Sequence, residues 1–111
     1  MEAYDIIVLR VYFLDLDKTE SKPRPALIVK VTCDKIYYYR ITTKYSNKSD
    51  FFKNKYFEII DYNNAGLYLK SWIDTFALYQ VKEDDFKIKL IGHLTDIDTE
   101  RLQKFLEERN N

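Results

Sequence analysis

The spacing of apolar residues changes once along this chain, and that change limits what it can fold into. Up to Leu94 the apolar residues fall in short runs with strand-like spacing; beyond Thr95 they follow a helical repeat. Ile6 to Leu14 alternates, with Ile7, Leu9, Val11 and Phe13 on one face and Arg10 and Tyr12 on the other. Ala26 to Val31 is nearly all apolar, as expected of a strand covered on both faces. Asp34-Lys35 turns the chain, and Ile36 to Thr43 returns with Tyr37, Tyr38 and Tyr39, which predicts a hairpin. Tyr56 to Ile60 reads as a short strand, Asp61 to Gly66 as a turn cluster, and Trp72 to Val81 as a long strand. Lys87 to Leu94 alternates again, with Ile88, Leu90 and Leu94 inward and Lys87, Lys89 and His93 outward. Thr95 is a good N-cap, and Asp98 stands where a capping box carries Glu. Ile97, Leu102, Phe105 and Leu106 then define one face of a helix of about twelve residues. With no helix between the strands, parallel α/β folds are excluded. The expectation is a mainly β protein, in which a small, strongly bent antiparallel sheet curls into a barrel and a C-terminal helix closes the chain.

Composition narrows the function classes. A chain of 111 residues makes one domain, here residues 1–111. With 2 Gly, 2 Pro and 16% aromatic residues it is neither collagen-like nor disordered. The 18 basic and 18 acidic side chains cancel, which argues against a protein that coats DNA but leaves room for a local basic patch. Cys33 is alone, so the chain forms no internal disulfide and no cysteine-built zinc site; it reads as a small buried apolar residue. The single His93 excludes any site that needs two imidazoles, and on its outward face it reads as a bystander. The acidic N-terminus lacks a signal-peptide layout. The longest apolar runs fall well short of the roughly 20 residues a membrane span requires. A soluble, cytoplasmic protein is expected.

Pro23-Arg24-Pro25 is the most distinctive local feature. Each proline fixes its own φ and holds the preceding residue extended, so Arg24 is stiffened from both sides as the chain enters a strand. A guanidinium held this way is a permanently charged fork suited to phosphate. Downstream, Lys44, Tyr45, Lys48, Phe51, Phe52 and Lys53 interleave cations with aromatic rings. That pattern suits a platform that stacks unpaired bases and follows phosphates, or alternatively rings packed beneath a loop or at an interface.

Several segments occur in a characteristic order: Asp5-Ile6-Ile7-Val8-Leu9, Arg24-Pro25-Ala26-Leu27-Ile28-Val29, Ile41-Thr42-Thr43, Ala65-Gly66-Leu67 before Ser71-Trp72-Ile73-Asp74, and Ile91-Gly92-His93-Leu94-Thr95 before the helix. Over nearly the whole chain this order resembles the MazF/PemK family, the ribonuclease toxins of type II toxin–antitoxin systems. The resemblance implies an SH3-like barrel with a C-terminal helix, usually a homodimer. It implies cleavage of single-stranded RNA, such as mRNA, without metal or other cofactor, under control of a cognate antitoxin. It also implies a catalytic set of Arg24 and Thr42, completed by a carboxylate from Glu20 or Asp74. Lys22, Lys44, Tyr45 and Lys48 are the residues expected to contact RNA. Metal-free cleavage uses the ribose 2′-hydroxyl as internal nucleophile. It calls for a base, an acid for the leaving oxygen, and a cation for the crowded phosphorane. A carboxylate serves as that base where desolvation raises its affinity for protons. The first loop reads Lys18-Thr19-Glu20-Ser21-Lys22-Pro23 where the family carries a glycine-rich pattern. That difference motivates an alternative, a catalytically silent SH3-like barrel that binds RNA or a protein partner.

Overall fold

Each segment with strand-like spacing forms a strand in a computed structural model, which describes residues 1–11, 24–46, 53–82 and 86–109. The strands are β1 Asp5–Val11, β2 Arg24–Val31, β3 Lys35–Thr42, β4 Tyr56–Ile59, β5 Ser71–Lys82 and β6 Phe86–His93. Helix α1 spans Asp96–Arg109. All pairings are antiparallel, and the strands form one sheet in the order β4-β5-β3-β2-β1-β6. The result is the expected mainly β, barrel-like fold with a C-terminal helix. Among the described residues no helix is long and apolar enough to cross a membrane.

Each face of the sheet carries a buried cluster. Ile6, Leu27, Ile41, Phe57, Ile59 and Ile73 pack on one side with Leu94 and Leu102, so α1 covers this face. Ile7, Leu9, Ala26, Ile28, Ile36 and Val81 form a second cluster. Adjacent residues of β1 and β2 thus belong to different clusters, which accounts for the unbroken apolar run in β2.

Three sequence expectations are corrected. The β1–β6 register shifts between Ile6 and Ile7, so Ile6 faces Gly92 while Ile7 faces Leu90. The extra residue of β6, Ile91, packs against the core, while Leu90, on this edge strand, is 55% exposed. On α1, Ile97 is 69% exposed and Asp98 takes the inward position. The helical repeat gives the reason: Asp98, Leu102 and Phe105 are spaced by four and three residues, whereas Ile97 lies off that stripe. Cys33 is exposed, because it sits in the turn between β2 and β3 that Thr32 and Lys35 close.

Asp98 does not act in a capping box. Its fully buried carboxylate accepts hydrogen bonds from the backbone N–H groups of Ile60 (3.3 Å) and Asp61 (2.8 Å) and from Arg101 Nη1 (2.5 Å). Arg101 also donates to the Glu58 carbonyl at 3.1 Å, and its guanidinium lies 4.7 Å from the Phe57 ring centroid. This network ties α1 to the end of β4. Asp98→Asn keeps one acceptor oxygen but removes the charge opposite Arg101. It is expected to lower unfolding stability by about 2 kcal/mol, measured by chemical denaturation. An unchanged midpoint would mean that packing alone docks the helix.

Candidate functional site

Register, rather than proximity in sequence, assembles the site. Arg40 pairs with Asp74, and Thr42 with Trp72, across β3 and β5. Asp74 and Trp72 pair in turn with Tyr56 and Glu58 of β4. On the other side of β3, Ala26 pairs with Arg40. Continued by two residues to the ends of both strands, that register sets Arg24 opposite Thr42. Paired residues share a face, and so do alternate residues along a strand. Arg24, Arg40, Thr42, Trp72, Asp74, Tyr56 and Glu58 therefore belong to one sheet face, spread over four adjacent strands.

Each group is held for a definite reason. Arg24 is exposed, and among the described residues it has no ion-pair partner. Thr42 Oγ1 accepts the Lys44 N–H at 3.1 Å, which leaves its own hydroxyl hydrogen to donate. Between Tyr79 and Asp74, β5 carries residues 75–78 where β3 has only Tyr39. This bulge turns the Phe76 N–H back onto Asp74 Oδ1 at 2.9 Å. The Tyr56 hydroxyl donates to Asp74 Oδ2 at 3.4 Å, so both carboxylate oxygens are oriented. The Arg40 guanidinium lies 4.3 Å from the centroid of the Tyr79 ring, which stacks on Tyr38 at 5.6 Å.

Beside these groups runs a ladder of rings and cations. Lys53 Nζ lies 5.3 Å from the Tyr45 ring centroid, Tyr45 stacks on Trp72 at 4.9 Å and 8°, and Lys70 Nζ lies 5.6 Å from the Trp72 ring. Tyr56 meets Tyr45 edge-on at 6.2 Å. Lys70 also pairs with Glu58 at 3.2 Å, with both side chains about half exposed. Cations alternating with stacked rings are the elements of an open surface for unpaired bases and phosphates.

Burial raises the Tyr56 pKa above the ordinary 10.0, and the charge and hydrogen bond of Asp74 push it the same way. Tyr56 therefore stays a neutral donor. A phenol that binds its proton more tightly when folded adds stability below the unfolded pKa and loses it as pH rises through the folded one. In an absorbance titration, Tyr56→Phe is expected to remove one phenol that ionises late. If the variant's curve overlays the parent's in that alkaline range, the Tyr56–Asp74 bond is absent in solution.

Of the expected site residues, Arg24, Thr42, Asp74, Lys44 and Tyr45 lie on or beside this face. Lys44 is exposed and Tyr45 is partly covered by its ring partners. Glu20, Lys22 and Lys48 lie outside the described residues, as do Phe51 and Phe52. Sequence reasoning overlooked Arg40, Tyr56 and Lys70. Arg40 shares the even-numbered parity of Thr42 on β3, and that parity was the available signal. His93 is bonded rather than idle: its Nδ1 lies 2.8 Å from Asp5 Oδ1, toward the opposite end of β1 from the pairing of Leu9 with Arg24. Comparison with models of protein families and with curated proteins found no match.

Proposed function

We propose that this chain is a metal-independent endoribonuclease of the MazF/PemK type that acts on single-stranded RNA. In this reading it is the toxin of a toxin–antitoxin pair, a cytoplasmic homodimer restrained by a cognate antitoxin. The observation that carries the reading is the convergence of Arg24, Thr42 and Asp74 on one open sheet face beside the Lys53–Tyr45–Trp72–Lys70 ladder. An open face favours an extended, unpaired strand over a small molecule, because splayed bases stack on rings while the backbone follows cations.

The chemistry divides among these groups. The carboxylate of Asp74 takes the proton of a ribose 2′-hydroxyl. The 2′ oxygen forms a bond to the adjacent phosphorus, giving a phosphorane. Arg24 grips two of its non-bridging oxygens and Thr42 donates a hydrogen bond to it. The bond from phosphorus to the 5′ oxygen then breaks. Water supplies that oxygen with a proton, and Asp74 later releases its own. The products are a 2′,3′-cyclic phosphate and a 5′-hydroxyl.

Purified protein incubated with a long single-stranded RNA in EDTA is expected to yield discrete fragments with cyclic phosphate ends. Trp72→Ala is expected to weaken RNA binding by about tenfold, the scale of one lost base stack. Intact RNA that nevertheless binds would replace this proposal with the silent RNA-binding barrel, and RNA neither bound nor cut would overturn it in favour of the barrel that binds a protein partner.

A further inference from the structure

We propose that Glu2, Asp5 and His93 form a binding site for a divalent transition-metal ion, separate from the RNA face. The three side chains bring together an imidazole and two carboxylates, and their ligand atoms all lie within 4.8 Å of one another. They line one groove with Leu90, Ile91 and Gly92, with a volume of about 540 Å³. Asp5 and His93 are directly paired residues of β1 and β6, so the sheet itself fixes two of the donors. The Asp5 side chain is only 9% exposed, while that of His93 is 49% exposed and open to the groove. Glu2 is held at the mouth by two backbone links: its N–H donates to Asp5 Oδ2 at 2.9 Å, and its carbonyl accepts the Asp5 N–H at 3.2 Å.

The donor set decides the kind of ion. An imidazole beside two carboxylates matches zinc or manganese better than calcium or magnesium, which take oxygen ligands in larger number. Metal bonds of about 2.0–2.2 Å require donor atoms roughly 3–3.5 Å apart. The Asp5–His93 separation of 2.8 Å is already near that spacing. The remaining adjustment falls on Glu2, which is exposed and has rotamers to spare. Three protein donors leave a coordination position for water or a further ligand. The site lies about four residues along β1 from Leu9, the partner of Arg24, which is about 13 Å of strand. Its occupancy is therefore independent of the metal-free chemistry proposed above.

The test is a calorimetric titration of ZnCl₂, with MnCl₂ in parallel, into untagged protein. A Cys33→Ser background removes the exposed thiol as a competing ligand. Saturation near one ion per chain is expected, with Glu2→Gln and His93→Ala each weakening uptake by at least about tenfold. Circular dichroism checks the fold of both variants; should His93→Ala unfold, Glu2→Gln decides alone. No saturable uptake by the parent, or parental uptake by the folded variants, would overturn the site. RNA cleavage in EDTA is read separately, so the two proposals fail independently.

Discussion

Gly92→Ala is expected to abolish the native fold or to lower its stability by more than about 3 kcal/mol, beyond the usual range for overpacking. The chain has only 2 glycines, and both lie at one crossing. A Cβ on Gly92 would stand 1.8 Å from the Ala65 carbonyl oxygen, and one on Gly66 would stand 2.2 Å from that of Ile91. Both obstacles are backbone, so no side-chain rotation relieves them. Gly66 also has φ +94°, a conformation that L side chains rarely adopt. The crossing presses the turn at 61–67 against the end of β6, and so seats Ala65 and Leu67 in the core under α1. Thermal unfolding followed by circular dichroism provides the measurement. A loss of 3 kcal/mol corresponds to a fall in midpoint of more than about 10 °C for a domain of this size. Gly66→Ala is expected to do comparable damage, since it meets the Ile91 carbonyl and must also hold a positive φ. A Gly92→Ala protein melting within a few degrees of the parent would mean that the two backbones stand apart in solution.

How far this was readable in the sequence differs from element to element. Strand positions and the terminal helix follow from periodicity, because a half-buried strand and a half-buried helix impose different repeats. Periodicity does not reveal register. A shift between Ile6 and Ile7 brings Ile91 onto the core against the alternation of β6, and no residue type in β6 marks that shift. Hydrophobicity misleads on α1 for a different reason. Asp98 occupies an inward position because Arg101, one helical turn on, and two N–H groups at the end of β4 compensate its charge, and those N–H groups come from a distant part of the chain. Ala65-Gly66 and Ile91-Gly92 were visible as segments, but the contact between them was not. The candidate site shows the same division. Arg24 stands out through its prolines, whereas Thr42 and Asp74 are ordinary strand residues until β3 and β5 align them. Arg40 and Tyr56 join the site only through the same pairings.

Arg24→Ala is expected to reduce RNA cleavage by about 100- to 1,000-fold, the effect of removing one preorganised group that stabilises transition-state charge. Several observations make the expectation specific to chemistry. Arg24 is exposed and forms no ion pair among the described residues, so its loss leaves no buried partner unsatisfied. The backbone keeps Pro25 and the pairing of β2 with β1, so the strand entry persists. The stacking ladder is untouched, and RNA binding should fall far less than cleavage. Arg24→Lys sharpens the comparison: it restores charge but not the planar fork, so its rate should lie between alanine and parent. If charge alone mattered, the lysine variant would match the parent; if the fork matters, it stays well below. Asp74→Asn supplies the complementary case, because its oxygen still accepts the Phe76 N–H and its amide can donate to the Tyr56 hydroxyl, while the base is lost. Its cleavage should fall by a similar factor with the fold unchanged by circular dichroism. An Arg24→Ala protein that cuts RNA at the parental rate would remove the guanidinium from the mechanism, and with it the reason for locating the reaction on this face.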